Sequence, residues 1–202
     1  MHKEKQGFGD SAIATLNTNA ISADDMGVNG HYHVVCRDKN GNIKWEEEFP
    51  NLVVAVGKEL LLNTLLRTSG TYTTVGPFLG LTNATLTPAA TDTMTTLVGG
   101  GKEFTNYTVG GSAVRGTAVF AAASSTGTTP TNVTTSAASA ITYTITGGGG
   151  TVYGCFLVTG TGAVSTQSST AGTLYSEGNF ATAKVTTAGD TVSVTYSTTA
   201  TS

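Results

Sequence analysis

Charge is scarce in this sequence. Charged residues make up 11% of its 202 positions, against roughly 25% in an ordinary soluble chain. The shortage is uneven. Beyond residue 67 only Asp92, Lys102, Glu103, Arg115, Glu177, Lys184 and Asp190 are charged. Net charge is −3 with a pI near 5.5, so no basic face is available to displace counterions, and no nucleic-acid partner is expected. Long apolar runs are missing too. None approaches the roughly 18 residues of a membrane span, and no membrane partner is expected. The opening stretch MHKEKQGFGDSAIATL lacks a signal peptide's apolar centre, which points to synthesis in a cytoplasm. Two cysteines, Cys36 and Cys155, are too few for a disulfide framework. Each sits in an apolar run and is read as a free, buried thiol. Histidine stops at His33, so a Ser- or Cys-based triad has no base across most of the chain.

What is abundant is threonine, about a fifth of the chain. Its branched Cβ suits a pleated, half-exposed surface. The later surface must then be built from hydroxyls and backbone. A free monomer normally keeps more surface charge, so part of this surface is expected to be covered by a partner or by copies of the chain. The plainer alternative is a Thr-rich β domain kept soluble by its hydroxyls.

Residues 1–30 show mixed charge, no sustained period and several glycines, and read as an arm that is flexible or ordered on binding. The domain is expected over 31–202. HYHVVCRD (31–38) reads as a strand, and Asn40-Gly41 as a type I′ hairpin turn. NIKWEEEF (42–49) is the return strand, stopped by Pro50. Ile43, Trp45, Glu47 and Phe49 fall on its inner face, while Glu46 and Glu48 share the outer face. A short apolar run, LVVAV, precedes the one clear helix, expected at about 57–67. Its leucines cover more than one face, so burial on several sides is expected. Trp45, Leu60, Leu61, Leu62 and Leu65 are assigned as the anchor of the fold, and Leu61→Asp is expected to abolish folding. From residue 71 onward short strands alternate with turn signals. Examples are VGPFLGL (75–81), EFTNYTV (103–109), AVRGTAVFAAA (113–123), AITYTIT (140–146) and TVSVTYST (191–198). TVYGCFLVT (151–159) is mostly apolar and reads as a central strand buried on both faces. The fold class expected is all-β, an antiparallel β-sandwich or jelly-roll-like domain with one short buried helix.

Candidate chemistry is thin. His31-x-His33 puts two imidazoles on one strand face, but no third ligand stands near. Asp38 to Asn42 resembles the start of a calcium loop without its closing glutamate; a hairpin turn explains it better. Gly99–Gly101 and Gly147–Gly150 lack the spacing, lysine and following helix of a phosphate loop. No catalytic residue, cofactor or metal is assigned, and no enzymatic activity is expected. Glu46 and Glu48, on the outer face of the opening strand, are the residues assigned to a partner contact.

The order of segments carries a resemblance. RDKNGNIKWEEEFPNLV is followed by VGKELLLNTLL, PFLGLTNATLTPAATDTM and KEFTNYTVGGSAVRGTAVF. The chain closes with TVYGCFLVTG…GTLYSEGNFATAKVTTAGDTVSVTYS. This ordered set, covering residues 31–198, resembles a family of small structural proteins of tailed bacteriophages. The long N-terminal arm and the glycine run at 147–150 depart from that pattern. The resemblance implies a non-enzymatic virion component: a capsid decoration or cement protein on the outside of the major capsid shell, made in the host cytoplasm. Its implied partners are the major capsid protein and copies of itself as a homo-oligomer. A tail or fibre component, or a host-surface-binding module, is the alternative. No internal repeat of the kind fibres show is present. A lectin or carbohydrate-active enzyme would need clustered aromatics and carboxylates, and here they are scattered.

Overall fold

The computed structural model describes residues 27–67, 74–123, 131–133 and 140–201. Among these residues the chain forms β1 (Gly27–Arg37), β2 (Ile43–Val53), α1 (Ala55–Leu66), β3 (Phe78–Thr82), α2 (Met94–Leu97) and β4 (Glu103–Phe104). Then follow β5 (Tyr107–Thr108), β6 (Gly116–Thr117), β7 (Thr131–Val133), β8 (Ile141–Ile145), β9 (Gly150–Thr159), β10 (Thr173–Thr186) and β11 (Thr191–Thr201). Strict alternation sets the inner face. In β8, Ile141, Tyr143 and Ile145 are buried while Thr142 and Thr144 are exposed. In β11, Val192, Val194 and Tyr196 turn inward. A period of two allows one apolar and one hydroxyl face per strand.

The strands form one antiparallel path, β4-β3-β9-β10-β2-β1-β11-β8-β5, with β6 beside β3 and β7 beside β11. The bend lies in β2. Ile43 to Asn51 pair with β1, whereas Leu52 and Val53 pair with Glu177 and Ser176 of β10. The path also nearly returns to its start, because its two ends, β4 and β5, are separated in sequence only by Thr105 and Asn106. The fold is therefore all-β and antiparallel, a nearly closed sheet with two short helices.

Tyrosine hydroxyls tie the two halves across the core. Tyr32 of β1 bonds Ser176 of β10 at 3.0 Å, and Tyr143 of β8 donates to the Leu79 carbonyl of β3 at 2.7 Å. Tyr32 also stacks on Phe49 and lies 4.8 Å from Tyr196. The hydroxyls of Tyr32 and Tyr143 thus each keep a partner, which removes the desolvation cost of an unpaired one. A second apolar layer covers the other face of β9. Phe156 and Val158 pack there against Leu86, Met94, Leu97 and Val98 from the stretch between β3 and β4. Cys155 and Leu157 face the first core, so β9 is buried on both sides, as its unbroken apolar run requires.

The helix corrects the sequence reading. α1 touches the sheet along one narrow stripe: Gly57 lies against Tyr175, and a side chain there would meet the Tyr175 carbonyl at 2.5 Å. Leu60 is the one buried leucine. Leu61, Leu62, Leu65 and Leu66 are 37, 45, 75 and 70% exposed. One flat sheet covers only about a third of a helix's circumference, and nothing in the described residues covers the rest. Of the assigned anchors, only Leu60 is buried; Trp45 is partly buried and packs edge-on against Phe180 at 5.5 Å. Leu61, Leu62 and Leu65 are surface residues. Leu61→Asp is accordingly expected to leave the chain folded, with a melting temperature within a few degrees of the parent by calorimetry. Loss of the cooperative transition would restore the anchor role.

Other departures are local. β1 begins at Gly27, so residues 27–30 belong to the sheet and not to an arm; residues 1–26 lie outside the described residues. The first hairpin is present, but Asn40 does not take positive φ, as type I′ demands; only Gly41 does, at 89°. The Asp38 carboxylate takes over the turn, accepting the Asn40 and Asn42 amides at 2.8 and 2.9 Å. The hydrogen bond from the Asn42 side chain, followed by those backbone bonds, holds Asp38 below its ordinary carboxylate range. The strand expected over 113–123 shrinks to Gly116–Thr117. The Arg115 amide bonds the Ser165 carbonyl instead of a strand partner.

Candidate functional site

Four places in the fold concentrate charge or exposed apolar surface: the outer face of β2, the exposed face of α1, and two buried charge clusters.

On β2, Glu46 and Glu48 are exposed, as assigned. Glu46 already has a partner on its own sheet face, the Nε2 of His33 at 2.7 Å. Glu47, on the inner side, bonds the Ala181 amide and pairs with Lys184 at 2.6 Å. It fills the irregularity where β9–β10 pairing skips from Asn179 to Lys184. Its break in the apolar pattern therefore marks a bulge. Among the described residues no cluster of three or more His, Cys, Asp or Glu side chains is placed to hold a metal. Cys36 and Cys155 are both free and buried, and burial pushes the Cys36 thiol up to about 11. Neither is available as a thiolate nucleophile near neutral pH.

The exposed face of α1 adjoins a groove of about 350 Å³ lined by Leu60, Leu61, Thr64, Leu65, Thr74, Thr159 and Tyr175. Leu61 and Leu65 form one row along the helix, and Leu62 and Leu66 a second beside it, because residues four apart stack on one face. Side-chain charge is absent from Leu60 through Leu66 and returns at Lys58, Glu59 and Arg67. An apolar centre with a charged rim has the anatomy of a protein-binding patch. Contiguous exposed apolar surface of this kind marks a place for another molecule.

The buried charges are not brought together by any spacing in the sequence. Arg115 and Glu103 form a two-pronged ion pair, Nε to Oε1 and Nη2 to Oε2, both at 2.8 Å. Both side chains are buried. The remaining valences go to one loop: Arg115 donates to the carbonyls of Val164 and Ser169, at 3.3 and 2.7 Å. The Ser168 amide donates to Glu103 Oε2 at 2.8 Å. Ser168 is the one described non-glycine residue with positive φ, 62°. The guanidinium also lies over the Phe156 ring, 5.3 Å from its centroid. With four guanidinium N–H groups and both carboxylate oxygens engaged and both side chains buried, the pair fastens the 160–172 loop and presents no exposed face to a substrate.

The second cluster pairs Glu177 of β10 with Asp92. Glu177 is 1% exposed. Burial first, and then the Asp92 carboxylate, pushes its carboxyl up to about 8, with Lys102 pulling the other way. Burial also acts to raise Asp92, but hydrogen bonds from Glu177, the Ala89 amide and the Thr96 hydroxyl outweigh it and hold Asp92 below its usual range. The cavity beside the pair, lined by Leu86, Thr87, Asp92, Thr96, Leu97, Lys102 and Glu177, measures about 10 Å³. That is room for one water, not for a substrate.

Among the described residues, the α1 face with its groove offers an open apolar surface, and it is the candidate functional surface. Comparison with known proteins finds no match to this chain among protein-family models, curated proteins or solved structures.

Proposed function

We propose that the chain is a non-enzymatic structural protein of a bacteriophage virion. In this reading it decorates the outside of the major capsid shell and cements neighbouring subunits. The observation that carries the binding part of the reading is the four-leucine face of α1 beside its groove. The virion part rests on the ordered resemblance over residues 31–198 and on a surface poor in charge. Binding would bury the α1 face and stabilise the shell by mass action, because a ligand that binds only the assembled state shifts the equilibrium toward it. A stable contact needs roughly 1,200–2,000 Å² of buried surface in total. The leucine face would be its centre, with Lys58, Glu59 and Arg67 at the rim.

Co-sedimentation with purified major-capsid shells tests both parts. The parent chain is expected to pellet with shells, and Leu65→Asp to stay in the supernatant while melting within a few degrees of the parent. A surface substitution away from packing usually changes stability by no more than about 0.5 kcal/mol. Imaging of decorated particles should show density on the shell exterior. Failure of the parent chain to bind shells overturns the decoration role, whereas equal binding by Leu65→Asp overturns the assignment of the face.

A further inference from the structure

We propose that Glu177 and Asp92 form a proton-operated latch that fastens the segment between β3 and β4 over the sheet: closed while the two carboxyls share a proton, loosened when the proton leaves. The proposal stands apart from the assembly reading, which needs only the outside of α1.

The latch is assembled from residues of three elements. Glu177 and Asn179 project from the same face of β10, two residues apart. The Asn179 side chain grips Leu86 twice, accepting from its amide at 3.0 Å and donating to its carbonyl at 2.9 Å. Glu177 makes the second grip: its carboxyl, 1% exposed, and that of Asp92 line the same cavity of about 10 Å³, close enough to act on each other. Asp92 in turn closes its own turn through the Ala89 amide at 2.7 Å, and takes the Thr96 hydroxyl from α2 at 3.2 Å. Leu86, Met94, Leu97 and Val98 ride on this segment, and they are the cover of Phe156 and Val158. The neighbouring Ala90 carbonyl accepts the Ala55 amide at the start of α1, at 2.8 Å. The segment therefore holds both the second core and the first turn of the helix.

A carboxyl donates to a carboxylate only while it keeps its proton. Glu177 Oε1 has no hydrogen-bond partner and lines the small cavity. An ionised Glu177 would then face a second carboxylate with no donor for that oxygen, a costly arrangement in a buried site. The charged groups acting on Glu177 are Asp92 from the segment and Lys102 just after α2. From the neighbouring strands, β9 and β2 bring only Phe156 and Leu52 opposite it. Lys58 and Glu59 of α1 point to solvent. Lys102 offsets part of the repulsion without forming an ion pair with either carboxylate.

The direction of the pH effect follows from linkage. The closed state holds the Glu177 proton up to about pH 8, while a solvated glutamate releases it near 4.3. Between these values the open form binds fewer protons. The closed form's advantage is thus complete at low pH and falls by up to tenfold per pH unit as pH rises, levelling off above about 8. The lowered Asp92 acts elsewhere: it favours the closed form above its ordinary range and is lost only as pH falls below about 4.

Hydrogen exchange from pH 5 to 9, corrected for intrinsic rates, tests the latch on the full chain. Protection of the Leu86, Leu97, Val98 and Ala55 amides should drop progressively up to about pH 8 and then flatten. Glu177→Gln, which keeps a donor toward Asp92 but cannot ionise, should abolish the slope. Equal slopes in parent and variant, or no slope in the parent, overturn the proposal. Carbon-13 titration of the Glu177 carboxyl in the parent decides the matter even if the variant does not fold: a midpoint near 8 supports the latch, and one below 6 overturns it.

Discussion

Arg115→Met is expected to cost about 3–5 kcal/mol, because removing one partner of a buried pair strands the other charge. For a chain near 200 residues that is a fall in melting temperature of roughly 10 °C or more. Methionine fills much of the same volume, so the loss is electrostatic rather than a cavity. Glu103 would be left buried with only the Ser168 amide as a donor. The Val164 and Ser169 carbonyls would lose their guanidinium donors as well. Removing both charges together is not expected to restore stability, since those backbone groups stay unpaired. Arg115→Lys should recover little. An ammonium cannot bond both carboxylate oxygens in parallel and still reach Ser169. Calorimetry on the three variants checks this; an unchanged melting temperature in Arg115→Met contradicts the clamp. Proteolysis adds a local readout, with new cleavage expected first in the 160–172 loop.

Gly154→Ala is the second large effect expected, about 3 kcal/mol or more, from overpacking rather than from loss. Gly154 lies in β9 opposite Asn179 of β10, at the edge of the irregularity in their pairing. A Cβ there would run into the backbone carbonyl of Gly178. Backbone atoms on both sides cannot swing away as a side-chain tip can. The two central strands of the path would have to part, in the layer where β9 is packed on both faces. The expected result is a chain that melts at least several degrees lower, or one recovered only in the insoluble fraction. A soluble, equally stable Gly154→Ala would show that the strands separate more easily than their packing implies. Gly41→Ala is a useful contrast: open space surrounds that position, so only the strain of positive φ, about 1 kcal/mol, is expected.

Period-two patterns made much of this fold readable. Ile141, Tyr143 and Ile145, and likewise Val192, Val194 and Tyr196, fall inward as their spacing requires. The unbroken run in β9 correctly announced burial on two faces. The helix was found at nearly the right place but given the wrong surroundings. Leucine content reports a preference for leaving water, not whether a neighbour exists to meet it, and a three-turn helix lying on one face of a sheet meets only one. The buried charges were missed because pairing depends on topology. Glu103 and Arg115 are 12 positions apart, and Asp92 and Glu177 are 85 apart (177 − 92). A signal was nonetheless present. Beyond residue 67 only seven charges remain, and four of them, Glu103, Arg115, Glu177 and Asp190, are buried. In a stretch whose surface is made of hydroxyls, an ionisable side chain is more often a placed interior group than a solubilising one.

The order of the path also bears on how the chain comes to be folded in a cell. β11, over residues 191–201, lies between β1 and β8 and pairs with β1 along its whole length, from Gly27 with Thr201 to Arg37 with Thr191. Synthesis from the N-terminus therefore delivers the inserting strand after every strand it must join. Until then β1 and β8 have unpaired inner edges, open to strands of other chains. Pairings so distant in sequence form slowly. The yield of soluble protein is thus set late, by whether the last strand is inserted before a neighbouring nascent chain supplies one.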